Sequence, residues 1–320
     1  MRRFLVLLAV LLLVPLAYWF AMNPEDATLD ASVRAEAGGR FVTLPEGATH
    51  FEVGGPDTGR VAVLVHGFSV PYYIWDSTFY ALAAAGHRVI RYDLYGRGFS
   101  DRPDATYDGA FFDAQLTGLL DSLGVAQPVD LFGLSFGGFI AAHFTSRHPE
   151  RVRSLVLVDP QTEASQLPAV IAAPGIGAFL WQVQVAPTMA DNQPSDFLHP
   201  EQFPGWADRY RPQMRYRGFG RALRRSLLAN ADVDYPAMYA TIARANTPVL
   251  LVWGRQDETI SIAKAENVTR MIPNAEFFPV DSSGHLPHLE QTASFNARVF
   301  AFLAKSAAPS SAAASPTGTP

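Results

Sequence analysis

Three short runs of the sequence are almost wholly apolar: VAVLV at 61–65, SLVLV at 154–158 and VLLVW at 249–253. A strand covered on one face alternates apolar and polar residues, whereas a strand buried on both faces does not. The three runs therefore predict central strands of a largely parallel sheet. Further strands are predicted at Phe41–Leu44, His50–Val53, Arg88–Tyr92, Val129–Phe132 and Glu276–Val280, the first two as an opening hairpin.

Helical patterns separate these strands along the chain. Alternating strands and helices imply right-handed crossovers, so the predicted fold class is α/β, with a mostly parallel sheet and helices on both faces. The alternation stops at 161–247, a segment rich in Pro, Trp and Arg, which we call the cap segment and interpret as an inserted helical cap. The core would then consist of residues 41–160 and 248–305. The predicted helices are Trp75–Ala85, Ala110–Leu123, Phe136–Arg147, Ile262–Met271 and Glu290–Leu303.

The N-terminus carries an uncharged apolar stretch from Phe4 to Met22, close to the length of about 20 residues that crosses a bilayer. Arg2 and Arg3 precede it and acidic residues follow it, which favours a cytoplasmic N-terminus and a body on the exoplasmic or periplasmic side. Bulky residues at 18–20 disfavour cleavage, so residues 1–24 are interpreted as a retained signal-anchor. A cleaved signal peptide and a secreted protein are the alternative. Residues 25–40 are predicted to be a linker and 306–320 a disordered tail.

Composition narrows the chemistry. The 320 residues include no Cys, which excludes disulfides, Cys-zinc sites and a thiolate nucleophile. A formal net charge of -5 argues against nucleic acid as a partner. The histidines have no metal-ligand spacing, so neither a metal nor a cofactor is expected.

The turn Gly133-Leu134-Ser135-Phe136-Gly137-Gly138 lies between a predicted strand and a predicted helix. Glycines two residues before and after Ser135 would let the strand and helix approach closely, so that the serine projects from a sharp turn. The helix N-terminus would favour negative charge developing beside it. This spacing indicates a nucleophilic serine.

The segment His66-Gly67-Phe68 directly follows the VAVLV strand. An acyl-transfer site needs two converging backbone N–H donors for its oxyanion, and the expected pair is Phe68 with Phe136. His66 is interpreted as a structural loop residue and not as a base.

The acid that would accompany Ser135 is expected after a later strand. Asp257 follows the VLLVW strand and fits the chain order serine, acid, histidine. Asp159, after SLVLV, is a rival because it also follows a strand near the serine. Glu258 is a third candidate, interpreted as a solvated carboxylate.

The base is expected in the loop Asp281-Ser282-Ser283-Gly284-His285-Leu286-Pro287-His288. His285 would take the serine proton and return it to the leaving group, while Asp257 would fix its tautomer. His288, at the start of the last helix, is the competing residue and is interpreted as structural.

Together these residues resemble the α/β-hydrolase superfamily over about 41–303. Three motifs carry the resemblance: HGF at 66–68, GLSFGG at 133–138 and GHLPHLE at 284–290. The turn YDLYGRGFSD at 92–101 looks like a scaffold element of that superfamily. The resemblance implies a serine hydrolase of the esterase or monoacylglycerol-lipase-like group with a helical cap, which cleaves small lipophilic or acylglycerol-like carboxylic esters through an acyl-enzyme.

Two other functions stay open. Carbon-carbon hydrolases of the meta-cleavage-product type share the serine, acid and histidine, but usually have Trp after the histidine where this chain has Leu286. A non-catalytic binding module with the same fold is the other alternative.

Aromatic residues around the expected cleft suggest an apolar substrate, with Tyr72, Trp75 and Trp181 as candidate substrate-binding residues. They would serve equally well to attach the cap segment to the core. Seven arginines and no acidic residue lie between Arg209 and Arg225. They would meet anionic lipid headgroups or a substrate carboxylate, or form a solvated face.

Overall fold

The computed structural model describes residues 2–307. The strands described are β1 (Arg40–Leu44), β2 (Gly47–Gly54), β3 (Val61–Val65), β4 (Arg88–Tyr92), β5 (Val129–Leu134), β6 (Val152–Val158), β7 (Val249–Gly254) and β8 (Glu276–Val280). They form an eight-stranded sheet in the order β1-β2-β4-β3-β5-β6-β7-β8. The two contacts of β2 are antiparallel, and all other neighbours are parallel. The predicted fold class, a mostly parallel sheet with helices, is confirmed.

The helices begin with a long apolar one and include short ones in the cap segment. Their bounds are α1 (Arg2–Met22), α2 (Ala31–Glu36), α3 (Asp76–Ala84), α4 (Gly109–Ser122), α5 (Phe136–Arg147), α6 (Ala169–Ala172), α7 (Ile176–Leu180), α8 (Met189–Asn192), α9 (Trp206–Tyr210), α10 (Phe219–Ala229), α11 (Tyr235–Arg244), α12 (Ala265–Met271), α13 (Pro287–Glu290) and α14 (Thr292–Ala307).

The central strands are buried on both faces. In β3, Val63 belongs to one hydrophobic cluster, whereas Leu64 belongs to a second cluster on the other face. Leu131 and Phe132 of β5 divide in the same way. Successive side chains of a strand point to opposite faces, so an apolar run is required wherever both faces are covered.

The segments outside the core differ in detail from their predicted boundaries. Between β6 and β7 the cap segment contains helices and turns, and no strand is described there. The predicted linker 25–40 contains α2, and Ala27 forms a bridge with Tyr216 of the cap segment. Helix α14 extends through Ala307, so the first two residues of the predicted tail are helical. The rest of that tail, 308–320, lies outside the described residues.

Helix α1 is long and apolar enough to cross a membrane. Many of its large apolar side chains are exposed, among them Phe4, Leu7 and Phe20. Beyond its end at Met22, the chain contacts the cap segment at once, because Asn23 and Glu25 both accept hydrogen bonds from Gln182 Nε2.

Candidate active site

Ser135 is held in a strained turn between β5 and α5. Its φ of 53° and ψ of -119° are unusual for a residue with a side chain. Ser135 N donates to Val158 O, and Gly138 N donates to Ser135 O, so the neighbouring strand and the helix both fix the turn. A Cβ at Gly133 would lie 2.3 Å from the carbonyl oxygen of Gly137. The strand can meet the helix this closely only because residue 133 is glycine.

His285 and Asp257 are brought together from the loops that follow β8 and β7. His285 Nδ1 lies 2.8 Å from Asp257 Oδ2, and both residues are buried. The other oxygen of Asp257 accepts the backbone N–H groups of Thr259 and Ile260. The carboxylate is thus fully hydrogen-bonded, with one oxygen directed at the imidazole.

The surroundings of His285 favour its charged form. Burial by itself would lower the pKa of the imidazole, but the hydrogen bond and negative charge of Asp257 outweigh burial and raise this pKa above its ordinary value. A histidine that gains a proton easily is suited to act as a base. His285 N also donates to Asp196 O in the cap segment, which fixes the backbone on which the imidazole is mounted.

Asp159, the rival acid, lies in the same cluster but in a different environment. Acceptor atoms of Asp159, Asp257 and His285 all lie within 4.8 Å of one another. Asp159 Oδ1 accepts the N–H of Gly254, while Oδ2 is buried without a hydrogen-bond partner in the described part of the chain. Burial, together with the charge of Asp257, raises the pKa of Asp159 well above its usual range. Asp159 therefore favours its protonated form.

Two carboxyl groups and an imidazole this close together are also of the kinds that bind metal ions. The separation of 2.8 Å between His285 Nδ1 and Asp257 Oδ2 is, however, that of a direct hydrogen bond. The two atoms are hydrogen-bonded to each other, and this bond explains their short separation without a cation.

The remaining rival residues have other contacts. His66 is engaged at both ring nitrogens, by Gly67 O and by the N–H of Leu94, and burial lowers the pKa of its imidazole to about 4. His288 Nε2 contacts Ile74 O, its ring packs on Trp75, and burial lowers its pKa to about 3. The side chain of Glu258 is exposed.

The loop after β3 lies against the serine turn. A Cβ built at Gly67 would be 3.5 Å from Ser135 Cβ, and the rings of Phe68 and Phe136 meet edge to face. Neither the Phe68 N–H nor the Phe136 N–H donates to a protein acceptor within residues 2–307. Both N–H groups are therefore available to a bound oxyanion.

Arg97, which the sequence analysis passed over as part of a scaffold turn, supports this loop. Its side chain is fully buried, and its Nε donates to Phe68 O at 2.8 Å. The other donors bind Tyr95 O and Ser226 Oγ. The guanidinium carbon lies 5.5 Å from the ring centroid of Phe68 and 5.7 Å from that of Phe136. Burial lowers the pKa of Arg97 to about 9.

Two cavities meet at Ser135. The smaller, about 300 Å³, has an apolar wall and a polar wall, and His285 also lines it. The polar residues are Ser69, Asn192, Gln193, Ser195, Asp196 and Thr259. The larger, about 850 Å³, is bordered by polar residues at 161–166 and by Lys264. Phe68, Ser135 and Thr259 line both, so the serine lies at the junction of a two-lobed cleft.

None of the three candidate substrate-binding aromatics lines either cavity. Trp75 is buried between Phe132 and His288. The ring of Tyr72 stacks on His50 and under the guanidinium of Arg91. Trp181 lines a separate cavity beside the end of α1. Apolar side chains that do line the smaller lobe are Phe68, Val70, Ile74, Leu134, Met189 and Leu286.

Glu290 is a second residue that the sequence analysis did not single out, although it ends the motif GHLPHLE. One carboxylate oxygen accepts the N–H of Gly284 in the histidine loop. The other accepts the N–H groups of Leu198 and His199 in the cap segment. Glu290 therefore links the loop that bears His285 to the cap segment. The sequence signal that could have identified it is its position five residues after that histidine.

Comparison with known proteins places this geometry in context. The family model described as alpha/beta hydrolase fold matches residues 61–292. A 2-hydroxy-6-oxononadienedioate/2-hydroxy-6-oxononatrienedioate hydrolase of Cupriavidus pinatubonensis is 30% identical over 292 residues, covering 86% of this chain and 99% of the relative.

Two further similarities involve ester-cleaving proteins. A pimeloyl-[acyl-carrier protein] methyl ester esterase of Neisseria meningitidis is 27% identical over 247 residues, covering 76% of this chain and 93% of the relative. The solved structure of a thermophilic esterase from Thermogutta terrifontis superposes with a TM-score of 0.71 at 23% identity, over 84% of this chain and 99% of the other.

Proposed function

Because the chain belongs to the α/β-hydrolase fold family and is thus a hydrolase by descent, we propose that it cleaves carboxylic esters through an acyl-enzyme on Ser135. The observation that carries this proposal is the two-lobed cleft with Ser135 at its junction and His285, hydrogen-bonded to Asp257, in its wall. A nucleophile, a base and an acid that orients the base are the parts that acyl transfer requires.

The roles follow from the contacts. Ser135 Oγ attacks the ester carbonyl carbon, and its proton passes to His285 Nε2, since Nδ1 is directed at Asp257. The carbonyl oxygen becomes an oxyanion, which the N–H groups of Phe68 and Phe136 bind. The tetrahedral intermediate expels the alcohol, which takes the proton from His285. Water then attacks the acyl carbon while His285 takes one of its protons. The second tetrahedral intermediate releases the carboxylic acid as the bond to Ser135 Oγ breaks, and His285 returns the proton to Oγ.

The cleft favours a neutral substrate over a carboxylate-bearing one. Among the described residues that line the two lobes, the one cationic side chain is Lys264, and its ammonium lies 2.5 Å from Glu163. A substrate anion placed there would lose its hydration without gaining an unpaired cation. The apolar wall of the smaller lobe, in contrast, suits a hydrocarbon acyl or alcohol group.

A carbon-carbon hydrolase is the second candidate, and one observation favours it: the relative at 30% identity is a hydrolase of a dienedioate. That substrate name denotes a dicarboxylate, for which the cleft offers no unpaired cation. Ester cleavage is therefore our first choice.

The test uses the full chain in detergent. We expect turnover of p-nitrophenyl esters, labelling of Ser135 by a fluorophosphonate, and loss of both in Ser135→Ala. An ester chain-length panel would define the lobe that holds the acyl group. Cleavage of a vinylogous 1,5-diketone with poor ester turnover would contradict ester hydrolysis in favour of the second candidate, and full activity in Ser135→Ala would contradict both.

We also propose that α1 is a retained membrane anchor, with the body on the exoplasmic or periplasmic side. The support is its exposed apolar surface, the two arginines before it and the acidic residues after it. Extraction of membranes with alkaline carbonate, followed by mass spectrometry, tests this anchor. An intact N-terminus in the pellet is expected, and a soluble chain shortened to a start near residue 24 would contradict it.

A further inference from the structure

A third cavity, of about 860 Å³, lies between the end of α1 and the cap segment. Trp19 and Phe20 of α1 form one wall, and the other includes Trp181 and the arginines 217, 221 and 224. It shares no lining residue with the two lobes beside Ser135. We call it the juxtamembrane cavity.

The cap side of this cavity presents donors without anionic partners. Within residues 2–307, none of Arg217, Arg221 and Arg224 forms an ion pair with a carboxylate. Arg224 donates to three backbone carbonyls at 171–173 instead, and Arg221 to the carbonyl of residue 102. Trp181 is 4% exposed, and its indole contributes to the wall of the cavity.

The acidic residues at the cavity are already used. One oxygen of Glu25 accepts the N–H of Gly218, and the other accepts the N–H of Gly220 and Gln182 Nε2. Asp26 pairs with Arg215 on the protein surface. Arg225 also lines the cavity but pairs with Asp104, so three arginines there have no carboxylate partner among the described residues. An anion with several acceptor oxygens would complete this arrangement.

The position of the cavity indicates where that anion comes from. Trp and Tyr residues are enriched at the level of the lipid headgroups, and Tyr18 and Trp19 stand at the end of the apolar helix that faces the cavity. Phosphates of the bilayer lie at the same level, and arginine binds phosphate oxygens through paired N–H donors. We propose that the juxtamembrane cavity binds the phosphate of an anionic phospholipid headgroup. This inference rests on the proposed anchoring of α1, but not on ester hydrolysis.

The test measures lipid binding by the full chain purified in a neutral detergent. Native mass spectrometry with phosphatidylglycerol and phosphatidylcholine of matched acyl chains compares an anionic with a zwitterionic headgroup. We expect preferential binding of phosphatidylglycerol. Equal binding of the two lipids would overturn the proposal, as would complete displacement of the lipid by an equal concentration of inorganic phosphate.

Variants localise the binding. Arg217→Gln with Arg221→Gln should weaken phosphatidylglycerol binding about 30-fold, given the contribution typical of a basic residue at an anionic surface. The matched control is Arg244→Gln with Arg270→Gln, two arginines that lie outside the cavity. Equal effects in variants and controls would overturn the site.

Two readouts keep the failures distinguishable. Fluorophosphonate labelling reports on Ser135 and should be the same in every variant. If the wild-type chain itself is not labelled, the proposal of ester hydrolysis is refuted, but the lipid site is not. Alkaline carbonate extraction reports on the anchor alone.

Discussion

The carboxyl groups of Asp159 and Asp257 lie within 4.8 Å of each other at the ends of two neighbouring parallel strands, yet they have opposite hydrogen-bond environments. Asp257 accepts three hydrogen bonds, counting that of His285, whereas one oxygen of Asp159 has no partner. A negative charge on each of two buried carboxyl groups this close is unfavourable, which raises the pKa of Asp159, the carboxyl with fewer hydrogen bonds.

The first prediction separates the two aspartates. Asp159→Asn replaces a neutral carboxyl by a neutral amide whose oxygen still accepts from Gly254 N, so we expect kcat within about tenfold of wild type. Asp257→Asn removes the charge and the acceptor that fix the His285 tautomer, which should lower kcat on the order of 10³-fold or more. Steady-state kinetics on one ester compares the two variants. A greater loss in Asp159→Asn would make Asp159 the acid.

The second prediction concerns pH. His285 must be neutral to accept the proton of Ser135, and its pKa in the folded protein is raised above the ordinary value of about 6.5. Activity should therefore fall as the pH drops through a midpoint above about 6.5. In Asp257→Asn, burial still lowers the pKa of His285 and only the charge of Asp196 still raises it, so the residual activity should show a midpoint below that of wild type. Profiles of kcat/KM against pH provide the measurement, and an unchanged midpoint in the variant would contradict the assignment of Asp257.

The third prediction concerns Arg97. Arg97→Met leaves the carbonyls of Phe68 and Tyr95 without a buried donor, at a cost of about 1–3 kcal/mol for each such group. We expect the apparent melting temperature to fall by about 5 °C or more and kcat to fall more than KM rises, because the loop that bears the Phe68 N–H loses its support. The exposed Arg244→Met is the control, with no comparable change. A variant as stable and active as wild type would contradict this role.

The fourth prediction concerns Glu290. In Glu290→Gln an NH₂ group replaces one of two oxygens that both face N–H donors, so a contact either to Gly284 or to the cap segment must break. We expect kcat to fall about tenfold, since the loop that bears His285 loses its link to the cap segment. Glu258→Gln, at an exposed carboxylate, should leave kcat unchanged. Ester kinetics on the two variants checks this, and equal activities would show that Glu290 does not position the loop.

Much of the sheet and of the residues around Ser135 was predictable from sequence, for a physical reason. The carboxyl ends of parallel strands meet at one edge of a sheet, so residues that follow β5, β7 and β8 had to lie at the same edge once those strands belonged to one parallel sheet. The burial of these strands was predictable because each central strand is apolar at successive positions. Whether Asp159 or Asp257 would orient the histidine was not decidable in this way, because it depends on loop hydrogen bonds that have no pattern in the sequence.

The surroundings of the cleft were harder to predict. Trp75 follows the segment His66-Gly67-Phe68 closely in sequence. The turn at Tyr72–Trp75 nevertheless directs its indole toward the sheet, where Phe132 and His288 cover it. Trp181 faces α1, although no pattern in the neighbouring sequence indicates that its side chain would face α1 and not the cleft. An irregular segment has no fixed period, so the direction of its side chains is set by tertiary packing and not by local pattern.

The contacts of residues 23–27 also constrain the order of events when this protein is made. Asn23 and Glu25 are bound to the cap segment, and Ala27 pairs with Tyr216. A peptidase needs its substrate extended and accessible, and a segment hydrogen-bonded to a folded body is neither. Any removal of the N-terminal helix must therefore precede the folding of the cap segment onto residues 23–27.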